Sequence, residues 1–252
     1  MKRSGMLGLV LSVAFVCAAC GSSGNGNSAS GSGGSSSGKV YDIFGYDNSG
    51  TATMTFVAWT NTTTRATALA YDSDGGFLVE SGTSANRYLG SIYITASGES
   101  EDTTGDRALF CYDNRVQRLL EAYIPESSWS YSSSTWRACD SNTTNGEGRC
   151  SVLTGVAEEA IQVQYSTYVS YSTAATVAQI GLALNSTSSP NLMKTQVSEG
   201  SESAGGVSGI TSATLQPAVG YSYIQSIESA SASTTYTGDT ASVTGITGSV
   251  HD

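Results

Sequence analysis

The sequence predicts an all-β body: an antiparallel β-sandwich or jelly-roll-like single domain over residues 39–252. Three observations predict it. Alternating apolar and polar runs of strand length recur along the body, broken by Gly, Asn, Asp and Ser turns. Only 13% of residues are charged, while Gly, Ser, Thr and Tyr are plentiful, as in short strands with polar, uncharged outer faces. Stripes at the helical period are few. With 39% hydrophobic residues, a body of this length can bury a core without a metal or a disulfide.

The elements follow in order. In "VYDIFGYD", Val40, Asp42, Phe44 and Tyr46 alternate with Tyr41, Ile43 and Gly45; Asn48 to Gly50 then turns the chain into "TATMTFVAWT". "RATALAYDSDGGFLVESG" reads as a hairpin turning at Asp74-Gly75, and "RYLGSIYITASG" as a further strand. "RALFCYDNRVQRLLEAYI" suits a strand pair turning at Asp113-Asn114 or a short helix at Val116–Ala122, closed by Pro125. "SSWSYSSSTWRACDSN" suggests paired short strands bearing Trp129, Tyr131 and Trp136. A long alternation follows, with Ile161, Val163, Tyr165, Thr167 and Val169 on one face. Val177, Ile180 and Leu184 fit a strand or a helix, and Tyr221, Tyr223, Gln225 and Ile227 share the face of a late strand.

Ahead of the body, Lys2 and Arg3 precede the apolar "GMLGLVLSVAFVCAA", which is short for a membrane span and has the form of an export signal. It ends in Cys17-Ala18-Ala19-Cys20. Small residues before a cysteine resemble the lipobox of bacterial lipoproteins, although Cys17 stands where that family usually has Leu. The resemblance covers residues 1–20. It implies a signal peptide at 1–19, cleavage before Cys20, and a lipid-modified Cys20 that anchors the chain in a bilayer. Gly21, where retained lipoproteins have Asp, resembles the pattern exported to the outer membrane. The tract Gly21 to Gly38 has no apolar side chain larger than that of Ala29. As a flexible coil it spans about 20–25 Å, so residues 20–38 form an anchored tether.

Charge narrows the partners. Against 21 acidic residues stand 11 basic ones, a net charge of -10, and removing Lys2 and Arg3 with the signal gives -12. Such a body repels phosphate backbones, so nucleic acid is excluded as a partner. No catalytic constellation stands out. His251 is penultimate, where chains fray, and no His/Cys cluster has zinc spacing. "YDSDGG" and "GESEDTTGD" have calcium-like spacing, but a loop begun at Asp72 puts Thr83 where the closing acid belongs. Glu158 and Glu159, if on a strand, point to opposite faces. The expectation is therefore no enzyme, no metal and no cofactor.

Cys139 and Cys150 flank "DSNTTNGEGR", whose Asn145-Gly146 is a turn pair. A disulfide there is expected to stabilise by about 2–3 kcal/mol. Cys111 is left over, and Cys111–Cys139 and Cys111–Cys150 remain open alternatives. Among the 14 tyrosines, Tyr165, Tyr168, Tyr221 and Tyr223 are the candidate binding residues, because Tyr offers contact area at low entropy cost. The reading is a lipid-anchored, non-enzymatic β module contacting an envelope glycan or protein, as an adhesin or envelope component. A structural subunit of a surface assembly and a polysaccharide hydrolase are the alternatives.

Overall fold

The computed structural model describes residues 36–73, 76–96, 99–171, 176–197, 205–238 and 244–252. The lipobox-like segment with Cys20, most of the Ser/Gly tract and the Asp74-Gly75 turn lie outside the described residues. Among the described residues the regular structure is all β apart from one 3-10 turn at Cys139–Ser141, and the strands pair antiparallel except for the two-residue β11–β6 pairing. In chain order the strands are β1 (Lys39–Asn48), β2 (Thr51–Ala58), β3 (Leu69–Tyr71), β4 (Leu78–Glu80), β5 (Thr83–Ile94) and β6 (Asp106–Arg107). There follow β7 (Leu109–Cys111), β8 (Gln117–Tyr123), β9 (Ser128–Tyr131), β10 (Arg137–Ala138), β11 (Arg149–Thr154) and β12 (Ile161–Tyr171). The last are β13 (Ala178–Leu184), β14 (Met193–Gln196), β15 (Gly205–Leu215), β16 (Gly220–Ala230), β17 (Thr234–Thr237) and β18 (Gly245–His251).

They form three sheets of six strands each. The first runs β2-β1-β5-β4-β3, with β7 also on β5; Ser49 and Gly50, both at positive φ, make the β1–β2 turn. The second runs β14-β13-β16-β11-β6, with β10 on β16. The third runs β8-β18-β12-β17-β9, with β15 along the other side of β12.

The second sheet is the middle layer. Val152 and Ile224 point into a core shared with Leu120, Val163, Tyr165, Val169, Tyr236 and Ile246 of the third sheet. Leu153 and Tyr221 point the other way, toward Val40, Phe44, Trp59, Tyr88 and Phe110 beside the first sheet. With both faces covered, β11 and β16 lose the simple in–out alternation. β16 accordingly buries Gln225, Ser226, Glu228 and Ser229. Each is satisfied: Gln225, for example, donates to the Asn142 and Gly148 carbonyls and accepts from Arg149. At Gly155 the layers approach so closely that a Cβ would collide with the Phe110 ring and the Tyr88 hydroxyl, which requires glycine there.

The two segments with a helical alternative are strands. β8 turns Leu120 and Ala122 inward and pairs with β18, and β13 pairs with both β14 and β16. The short strands around Trp129 and Trp136 do not pair with each other. β9 joins β17 in the third sheet, whereas β10 joins β16 in the second. Their side chains still converge on Glu228 of β16, which Trp129 Nε1 reaches from the third sheet at 2.6 Å and Arg137 from within the second at 2.7 Å. The chain end is not frayed: His251 pairs with Gln117, and Val116 and Asp252 exchange backbone hydrogen bonds.

The expected Cys139–Cys150 disulfide is absent; both are buried free thiols, so neither pairs with Cys111. β10 and β11 lie along the same edge of β16, with Ala138 opposite Ile227 and Cys150 opposite Ile224. Cys139 itself leaves the ladder, opening the tight turn Cys139–Ser141 after β10, while Cys150 stays within β11. The Cys139 sulfur instead meets the Tyr165 hydroxyl at 3.1 Å. Burial raises the Cys139 thiol and pushes Cys150 up to about 12, so both are unreactive.

Candidate functional site

The outward side of the third sheet is the part of the described surface with the most regular chemistry. Along β12, Ile161, Val163, Tyr165, Thr167 and Val169 are buried, so Gln162, Gln164, Ser166, Tyr168 and Ser170 face out. The register extends each into a row. Gln162 lies between Ser249 and Thr214, Gln164 between Thr247 and Ser212, and Ser166 between Gly245 and Ile210. Tyr168 lies between Thr237 and Ser208, and Ser170 between Thr235 and Gly206. Neighbours across the strands are about 4.8 Å apart and successive rows about 6.8 Å apart. The first two rows line an open groove of about 460 Å³.

No Asp, Glu, Lys or Arg occurs in β12, β15 or β18. The nearest charge in these rows is Glu121, beside Thr247, which accepts a hydrogen bond from Tyr123 at 2.9 Å. Each carboxamide and hydroxyl here can both donate and accept, so the face offers a grid of bifunctional neutral groups. Tyr168 is 45% exposed and Ile210 56%. The Tyr168 ring leans across to β15, where a Cβ on Gly206 would collide with its hydroxyl; glycine lets the ring lie over the edge strand.

The charged groups cluster elsewhere. Arg65 bonds both Asp42 carboxylate oxygens, the Tyr88 hydroxyl and the Gly155 carbonyl, bolting the first sheet to the turn after β11. A second concavity of about 490 Å³ beside Arg65 is lined by Leu69, Tyr71, Leu78, Val156 and Val219. Its one cation is already committed to Asp42. Asp106 is pushed up by burial and accepts from Tyr221 and Asn145, while Asp102 pairs with Arg107 and Arg118. Glu158 and Glu159 sit in the turn before β12, not on a strand, and both approach Arg115. Among the described residues no group of three His, Cys, Asp or Glu has metal-binding geometry.

The four tyrosines separate. Tyr165 is fully buried, bridging the sandwich to Cys139, so a surface-binding role is closed to it. Tyr221 stacks on Tyr93 at 3.9 Å and donates to Asp106, which makes it a link between layers. Tyr223 lies under the Arg149 guanidinium at 3.9 Å. Only Tyr168 of the four reaches the neutral face. Gln162, Gln164, Ser212, Thr214, Thr247 and Ser249 were not singled out from the sequence. The alternation of β12 marks its two glutamines as outward, but their neighbours come from segments some 50 to 85 residues away, set by pairing alone. Compared with known proteins, the chain matches no family model, no curated protein and no solved structure.

Proposed function

We propose that this protein is a lipid-anchored, non-enzymatic binding module that meets its partner with the outward face of the third sheet. The lipobox-like Cys17-Ala18-Ala19-Cys20 and the Ser/Gly tract support the anchor; fatty chains at Cys20 would bury about 0.8 kcal/mol per methylene. The tether would carry the body clear of the outer membrane and let this face turn toward envelope material. The observation that carries the reading is the uncharged array around Gln162, Gln164 and Tyr168 on an otherwise acidic protein. A contact face gains from shedding charge, since each buried unpaired charge would cost desolvation.

Two measurements test it. Cys20→Ser should move the protein from the membrane pellet to the soluble fraction; retention in the pellet would remove the anchor from the account. Full-length protein in detergent should capture solubilised envelope fragments, and Gln164→Lys with Tyr168→Ala should lose them. Capture unaffected by those substitutions would place the contact elsewhere.

A further inference from the structure

We propose that the groove across β15, β12 and β18 takes a neutral polysaccharide, with Tyr168 as the ring on which a sugar stacks. This rests on the reading of that face as the contact surface, and names its ligand class. The charge pattern selects the class. A polyanion finds no Lys or Arg on these three strands, and meets a chain of net charge -10 overall. A polycation finds no carboxylate on them either.

A chain of uncharged hydroxyls fits what is there. Gln162 and Gln164 stand one row apart, each flanked on both sides by a Ser or Thr hydroxyl. A saccharide hydroxyl, itself donor and acceptor, can exchange hydrogen bonds with any of these groups in either sense. Tyr168 and Ile210 occupy the next rows along, so the face passes from hydrogen-bonding groups to an aromatic and an aliphatic surface. An extended sugar chain has the same composition, with hydroxyl edges and C–H faces. A protein partner fits less well. Protein hot spots are built on Trp, Tyr and Arg clusters, and these strands offer outward one tyrosine and no Trp or Arg.

The test uses the full-length protein in detergent, with affinity electrophoresis against dextran, laminarin, mannan and galactan as neutral polymers and polygalacturonate as the acidic one. At least one neutral polymer should retard the protein, and retardation should persist in about 0.5 M NaCl, where exposed charges are screened. Tyr168→Ala and Gln164→Ala should each weaken retention about ten-fold, and Tyr168→Phe should keep most of it. Gly206→Val should also weaken it, by displacing the ring. Unfolding midpoints report whether each variant is intact. Retention by polygalacturonate alone, by no neutral polymer, or by a neutral polymer indifferent to Tyr168 and Gln164 would overturn the inference. If envelope proteins are captured through the same residues while every neutral polymer runs free, the contact face stands and its ligand class falls.

Discussion

In the first sheet, Arg65 and Asp42 are buried together, their side chains 13% and 3% exposed, with five hydrogen bonds converging on one guanidinium. In the third sheet, the outward side of β12 is all glutamine, serine and tyrosine, without a charge. The first region uses charge to join layers that hydrophobic contact alone would leave free to slide. The second keeps charge away from a surface left open. A low-charge sequence can do both only by concentrating its charges; Glu228 pairs with Arg137 within the second sheet and accepts from Trp129 of the third.

Breaking the charged region should have the largest effect. Asp42→Ala strands a buried guanidinium and should destabilise by about 3–5 kcal/mol, read as a lower urea midpoint. Tyr165→Ala opens a cavity between the second and third sheets and should cost a similar amount, about 3–5 kcal/mol, whereas Tyr168→Ala on the same strand should cost far less. That pair of variants compares the two faces of β12 directly.

Titration sharpens the comparison. Burial raises Glu228 to about 7 against the opposing pull of Trp129 and Arg137, and raises Asp252 to about 7 against Arg118. The folded protein therefore holds protons that the unfolded chain releases between the usual carboxylate range and neutrality. The resulting stability is present at low pH and is lost as pH rises through 7, on the order of 3 kcal/mol for Glu228. Thermal midpoints should fall from pH 5 to pH 8, less so in Glu228→Gln. Ligand binding by the neutral face should stay flat over the same interval at temperatures where the protein remains folded.

Gln162→Ala, Thr247→Ala and Ser212→Ala should each shift stability by no more than about 0.5 kcal/mol, because their side chains are outside the core. Smallest of all is the effect of reductant on the Cys139–Cys150 region. Peptide mapping of unfolded protein should find both cysteines alkylated without prior reduction, and a bridged peptide would contradict the structure.

Several of these features are legible in the residues alone. The inward set of β12 and the β1–β2 turn follow from alternation and turn chemistry, which are local. The failures have a common cause. Two cysteines flanking a turn invite a clamp, but their separation is fixed by how β10 and β11 dock on β16. Alternation puts Tyr165 and Tyr168 on opposite faces of β12, but only packing brings Tyr165 to the Cys139 thiol and Tyr168 to Gly206 in β15. Trp129 and Arg137, eight residues apart, belong to different sheets through their pairing with β17 and β16, and both side chains meet at Glu228.

By itself the sequence determined the all-β class, the period-two faces and the scarcity of charge, since each depends on neighbours within a few residues. Tertiary structure alone decided which rows stand side by side, which thiols stay apart and which residues Tyr165 and Tyr168 touch. Those depend on strand pairing over distances of 50 residues and more, and a shift of one residue in register would exchange every inward side chain for an outward one.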